Sequence, residues 1–382
     1  MRFAHISDLH LGKRLHEVSL LEDQAYILNE ICKILQDEKP DAVLIAGDIY
    51  DKSAPSAEAV RLFDDFLSGL SADGQTVFVI SGNHDSAARV AYGGRIMAKG
   101  GVYLSAPEYR GDVYPVPLED KDGRVDVYLL PFIKPIHVSL AFPDEKIESF
   151  TDALRVAVER MAVNPRRRSV LVAHQFVTGA VRSDSEEVSV GGLDNVDVSV
   201  FAPFSYVALG HIHRLQNIGS PRVRYSGTPL KYSFSEAGDE KSITIAELDA
   251  EGAVSVRTIP LKPKRDLREI KGTYDELMKR ENYEGTETDD YLRVILTDEI
   301  DVPDAMRKLK TVYPNVLRLD YDNARTQSGA IFGDLPATEA KDPFALVEDF
   351  YSRQNNQPMN EAQAEYMKTL IARIWGEEAC GR

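Results

Sequence analysis

Three apolar runs early in the chain, RFAHIS (2–7), AVLIAG (42–47) and TVFVIS (76–81), are separated by segments whose apolar residues recur at helical spacing. In the first separator Leu20, Ile27, Ile31, Ile34 and Leu35 form one stripe that stops at Pro40; in the second, Val60, Phe63, Leu67 and Leu70 do the same. Strands that alternate with crossover helices lie parallel in one sheet, so the rhythm points to the α/β class. Three later runs, VYLLPF (127–132), SVLVAH (169–174) and YVALGH (206–211), precede a hairpin of SITIAEL and VSVRTI joined through 249–252. A second sheet packed on the first accommodates these extra strands.

After Pro263 the rhythm restarts as strand, helix, strand, helix, strand: DLREIKG, YDELMKRE, YLRVILTDE, DAMRKLKTVY and NVLRLDYD. The expected organisation is a core over 1–262, a small α/β domain over 266–325, a linker over 326–342 rich in Gly, Pro, Ser and Thr, and two short helices over 343–376. Leu346, Val347, Phe350 and Tyr351 cluster on the first helix; Tyr366, Leu370, Ile371, Ile374 and Trp375 cluster on the second. Helices this short need packing to be stable, and the linker before them favours a partner over folding back.

No apolar run reaches membrane-spanning length, no basic-then-apolar leader starts the chain, and only Cys32 and Cys380 occur, so a reduced, cytoplasmic protein without a disulfide framework is expected. The net charge of −16 opposes wholesale binding to nucleic acid but leaves room for a local basic track. Lys13 with Arg14, the run 166–168, and Arg222 with Arg224 are the candidates, and solvated surface is the ordinary reading of each.

Chemistry-bearing residues sit at the strand ends. SDLH supplies Asp8 and His10, GDIYD supplies Asp48 and Asp51, and GNHD supplies Asn83 and His84; AHQF supplies His174, and GHIH supplies His211 and His213. Ligands collect at the carboxyl ends of parallel strands. Residues at i and i+2 on extended backbone point the same way, which lets each D-x-H or H-x-H pair converge. Singly, Asp48 reads as a helix N-cap, Asn83 as a turn residue, His174 as a core imidazole and Asp85 as a cap for the next helix. His5, His16 and His137 carry no motif and read as structural. Jointly, five of eight histidines in such elbows point to one metal site.

Carboxylate, amide oxygen and imidazole without thiolate suit manganese, iron or zinc. Seven candidate ligands (Asp8, His10, Asp48, Asn83, His174, His211 and His213) are too many for one ion, and two ions sharing Asp48 use them all. Paired ions about 3.5–4 Å apart clamp a phosphoryl group and activate water. His84 is then left free to contact the phosphate or protonate the leaving oxygen.

D-x-H, G-D-x-x-D, G-N-H-D, H and G-H-x-H in this order resemble the calcineurin-like metallophosphoesterases. Within them, HISDLHLGKRL, LIAGDIYDKSAPS, ISGNHDS, GHIHRLQ and YSGTPLKYSFSE resemble the SbcD-type nucleases of bacteria, over essentially the whole chain. That resemblance implies a four-layer α-β-β-α core, a DNA-capping domain and a C-terminal helical pair docking on an SbcC-type coiled-coil ATPase. It also implies a homodimer, two manganese ions, and single-strand endonuclease and 3′-to-5′ double-strand exonuclease activity on DNA ends and hairpins. Archaeal and eukaryotic relatives carry a histidine where this chain has Asp51; protein phosphatases place an aspartate there, which implies that Asp51 orients His84. No phosphate loop of the G-x-x-x-x-G-K-[ST] type occurs, so any ATP dependence belongs to another chain. A small-molecule phosphodiesterase and a non-catalytic tether are the other readings; the capping domain and tail weigh against the first, and an unliganded His84 against the second.

Overall fold

A computed structural model describes residues 1–186, 194–324, 326, 343–355 and 358–378, the side chains of 353–355 and 374–378 excepted. The chain divides into two compact units, Met1–Leu267 and Arg268–Arg382.

The first unit holds two six-stranded sheets. In one, Arg2–Ile6, Ala42–Ala46, Thr76–Ile80 and Val102–Leu104 run parallel, and the hairpin of Ser242–Leu248 and Val254–Pro260 closes the edge antiparallel to Arg2–Ile6. In the other, Gly123–Leu129, Arg168–His174, Tyr206–Gly210 and Ser220–Tyr225 run parallel, flanked by antiparallel Val116–Asp120 and Gln216–Ile218. Phe3, Leu44, Phe78, Val127, Val170, Val172 and Tyr206 fill the layer between the sheets. His5 crosses that layer, its ring bonded to Tyr206 Oη at 2.9 Å and to the Leu209 carbonyl at 3.1 Å. Burial first, then the nearby Arg224, lowers its pKa to about 3, so it stays neutral. Its structural reading agrees with this placement.

Helices cover both outer faces. Leu21–Glu38 and Ala57–Ala72 pack together and bury Ile27, Ile31, Leu35, Phe63, Leu67 and Leu70 of the stripes read from the sequence, whereas Ile34 is half-buried and Val60 exposed. Phe150–Arg160 buries Leu154 and Val158 in one apolar cluster with Leu171 and Val207 of the second sheet and with Phe204 just before its strand Tyr206–Gly210. Four layers, helix on sheet on sheet on helix, result.

In the second unit the strands Leu267–Gly272, Tyr291–Leu296 and Val316–Tyr321 form a three-stranded sheet, the last two strands parallel. Leu292, Val294, Leu296, Leu309, Tyr313 and Val316 form its core. Helices Pro343–Asn355 and Glu361–Glu378 contact each other, with Lys368 Nζ 4.6 Å above the Phe344 ring. Leu346, Phe350 and Tyr366 are exposed on them. Most of the linker expected over 326–342, together with the side chains of Ile374 and Trp375, and Cys380, lies outside the described residues.

Candidate metal centre

Five loops meet at the carboxyl ends of the parallel strands. Asp8, His10, Asp48, His174, His211 and His213 are all buried and Asn83 half-buried. The expectation that Asp8 and His10 ride on extended backbone is corrected: both are left-handed, with φ 54° and 45°, as are Asp48 at 49° and His211 at 101°. These turns are held by a ladder between two of the loops, Asp8 N to the Gly47 carbonyl at 3.0 Å and His10 N to the Asp48 carbonyl at 2.9 Å. Two glycines are required by close approach. A Cβ on Gly82 would overlap Asp48, and one on Gly210 would overlap the Ala46 carbonyl.

One oxygen, Asp48 Oδ2, faces three imidazoles: His174 Nε2 at 3.3 Å, His10 Nε2 at 3.7 Å and His84 Nε2 at 3.9 Å. Its partner Oδ1 accepts from the His84 backbone N–H at 2.9 Å, so Asp48 caps no helix; the following helix is capped by Ser56. Asp8 accepts from the His211 backbone N–H at 3.0 Å. Asn83 Oδ1 lies 3.0 Å from His174 Nε2 and 2.9 Å from His211 Nδ1. His10 Nε2 and His213 Nε2 stand 3.1 Å apart. Three groups, Asp8–His10–His213, His10–Asp48–His84 and Asp8–Asp48–His174, each bring ligand atoms within 4.8 Å of one another. Asp8, His10 and Asp48 each belong to two of them.

The outer contacts fix which nitrogen faces inward. His174 Nδ1–H donates to the Ala46 carbonyl at 2.8 Å, so Nε2, which faces two acceptor oxygens, needs either a proton or a cation between it and them. The Ser185 hydroxyl donates to Glu236 at 2.5 Å and therefore accepts from His213 Nδ1–H at 2.6 Å. The His213 Nε2 lone pair is thereby aimed at His10, whose own Nδ1 is buried without a partner. Acceptors packed against acceptors call for cations, and the oxygen and imidazole donors present fit divalent ions.

The charges tell the same story. Burial raises the Asp8 pKa to about 6, and burial lowers His211 to about 3 and His10 well below its usual value. At His174 burial opposes protonation, yet the Asp48 carboxylate outweighs it and lifts the pKa to about 9. A proton there occupies the place a cation would take.

Two expectations are revised. The Asp51 carboxylate does not touch His84: it pairs with Lys13 Nζ at 2.8 Å, and it is the Asp51 carbonyl that meets His84 Nδ1 at 3.2 Å. Asp85 caps no helix; its carboxylate accepts from the backbone N–H groups of Ile49 (3.0 Å), Tyr50 (2.9 Å) and Gly82 (2.9 Å), clamping the GNHD loop to the GDIYD loop. Sequence reasoning missed this clamp and the Ser185–Glu236–Lys241 chain behind His213. The proposed basic tracks are mostly tied down: Arg168 bonds Asp120, Arg224 is buried on Thr244, and Lys13 serves Asp51.

Residues 1–215 match the family profile described as calcineurin-like phosphoesterase. Residues 263–355 match a second profile, SbcD_C, described as the type 5 capsule protein repressor C-terminal domain. The chain is 32% identical to the D subunit of the nuclease SbcCD from Staphylococcus epidermidis, over 99% of this chain and 100% of that one. It is 31% identical to the Staphylococcus saprophyticus protein of the same name, over 99% of each. Among solved structures, a dimetal phosphatase from Danio rerio aligns at a TM-score of 0.38 and 14% identity, covering 69% of this chain and 99% of that one.

Proposed function

The chain belongs to the calcineurin-like phosphoesterase family, and on that premise we propose that it is a metal-dependent DNA nuclease, the phosphodiesterase partner of an SbcC-type coiled-coil ATPase. The observation that carries the chemistry is the single Asp48 oxygen facing three imidazoles, within a shell of buried donors at five strand ends. Asp8, His10, Asp48 and His213 would hold one ion, and Asp48, Asn83, His174 and His211 the other, manganese being the proposed metal. When bound, such a pair neutralises phosphoryl oxygens and brings the pKa of water toward neutrality.

The chain's own residues supply the rest. His84 Nδ1 is engaged by the Asp51 carbonyl, so Nε2 is the nitrogen left to exchange a proton with the departing oxygen. Asp85 and the ladder between the first two loops hold the reacting groups in place without touching substrate.

Full-length similarity to proteins named as parts of a nuclease supports DNA as the substrate, with single-strand endonuclease and 3′-to-5′ double-strand exonuclease activities in DNA repair and recombination. Exposed Leu346, Phe350 and Tyr366 on the terminal helices support ATPase docking there. The small α/β domain is the proposed DNA-capping element, a homodimer the proposed assembly, and the cytoplasm the proposed place of action. No described helix is long and apolar enough to cross a membrane. The test is degradation of linear duplex and single-stranded DNA with manganese, with and without chelator, beside a chromogenic phosphodiester. Turnover of the chromogenic diester without any cleavage of DNA would favour the small-molecule reading.

A further inference from the structure

Beside His211 and Asn83 lies a partly open cavity of about 130 Å³, lined also by Phe132, Phe150, Phe176, Lys134, Gln175 and Asp194. Of its three phenylalanines, Phe132 and Phe150 lie outside the ligand motifs and Phe176 closes the AHQF segment. The Phe132 ring stacks on the His211 ring at 17° with centroids 6.4 Å apart, and Phe176 meets His211 edge-on at 6.5 Å. Phe132 is fixed by its backbone N–H, which donates to the Ser81 carbonyl at 2.9 Å, immediately before the GNHD loop. Lys134 Nζ lies 6.0 Å from the Phe132 centroid, and Arg182 covers the Phe176 ring at 3.6 Å. Gln175 and Asp194 are each more than nine-tenths buried, and each keeps one oxygen, Oε1 and Oδ1, without a hydrogen-bond partner.

We infer that this cavity is a subsite for one unpaired nucleobase, next to the phosphate that the Asp48-centred cluster acts on. The inference rests on the nuclease reading above and deepens it. Aromatic walls offer a stacking surface that any base can use, and a neighbouring lysine suits the adjoining backbone phosphate. The volume admits a single ring system and excludes a base pair. A nucleotide within a duplex must therefore leave its stack to enter, which favours single strands, frayed ends and hairpin tips.

The test uses the full-length protein loaded with manganese. Cleavage of a single-stranded oligonucleotide is compared with that of the same oligonucleotide carrying an abasic residue beside the scissile bond, for wild type, Phe132→Leu and Phe176→Leu. Wild type should prefer the intact strand about ten-fold in kcat/KM, the scale of one base–aromatic stack. Both variants should lose most of that preference, whatever their absolute rates. Equal cleavage of the two strands by wild type, or an undiminished preference in both variants, overturns the subsite and leaves the nuclease reading intact.

A second measurement does not need DNA cleavage. Inhibition of chromogenic diester hydrolysis by thymidine 5′-monophosphate is compared with inhibition by ribose 5-phosphate. Stronger inhibition by the nucleotide, reduced in Phe132→Leu, supports the subsite even if DNA proves not to be the substrate. Equal inhibition overturns it. Thermal melts of each variant identify any that fail to fold, and the inhibitor comparison on wild type needs no variant at all.

Discussion

Removing the Lys13 charge should damage the protein as much as removing that of Asp51, although the two lie on different loops. Their side chains meet at 2.8 Å and each is 16% exposed, so neither is solvated well enough to stand alone. Exposed ion pairs contribute about 0.2–1 kcal/mol, whereas stranding one member of a buried pair costs about 3–5 kcal/mol. A pair this far from solvent falls between, at about 2 kcal/mol for Lys13→Met or Asp51→Asn alone. The double variant leaves no stranded charge and should cost no more than either single change, which gives a coupling energy of about 2 kcal/mol. Turnover should follow the same pattern. Asp51 N donates to the Leu11 carbonyl at 3.2 Å and the Asp51 carbonyl receives His84, so movement of this loop reaches the imidazole through the backbone. Urea unfolding and chromogenic diester hydrolysis of the four proteins measure both effects. If the carboxylate itself oriented His84, Asp51→Asn would lower kcat while Lys13→Met left it alone. That outcome, or strictly additive stability losses, would refute the backbone route.

Asp48→Ala should lower bound metal more than His10→Ala, since Asp48 Oδ2 alone faces three imidazoles; equal metal content by elemental analysis would sink the shared-ligand assignment. His84→Ala should keep its metal yet lose about 10²–10⁴-fold in turnover, the scale of a proton-transfer group; loss of metal instead would make His84 a ligand. Deleting residues 343–382 should spare metal-dependent cleavage and abolish binding to the coiled-coil ATPase in a pull-down, and retained binding would refute docking by the terminal helices.

The two central strand-and-helix repeats and the seven ligand candidates were legible because their signals are local. An apolar run ending in a polar elbow is visible within ten residues, and so are the stripes of Leu21–Glu38 and Ala57–Ala72. The edge strands of the second sheet were not. Val116–Asp120 reads VPLED, and proline with charge hides a strand that has one neighbour and a wet face; Gln216–Ile218, at the other edge, is only three residues long. The supporting residues escaped for another reason. Asp85 in isolation is an ordinary cap residue, and its partners Ile49 and Tyr50 lie 36 and 35 positions away. Ser185 and Glu236 become a relay only when the fold brings both behind Nδ1 of His213, from 28 and 23 positions away. Asp51 carried a correct signal, proximity to His84, with the wrong atom. Its carbonyl makes the contact, and no side-chain pattern encodes a carbonyl.

The backbone of the site explains why these supports exist. Asp8, His10, Asp48 and His211 are left-handed without being glycine, a conformation that costs about 1–3 kcal/mol for each residue. Glycine would relieve the strain and remove the ligand, so the cost is inseparable from presenting a carboxylate or imidazole at that bend. It is offset by interactions that only a completed fold provides. The first two loops bond to each other at Asp8 and His10, Asp85 ties the second loop to the third, and Asp8 receives His211 N–H from the other sheet. Each loop is thus held by a neighbour that is itself strained or ligating. A change at one of them should therefore spread to ligands it does not touch, and the loops should lose their order together rather than one at a time.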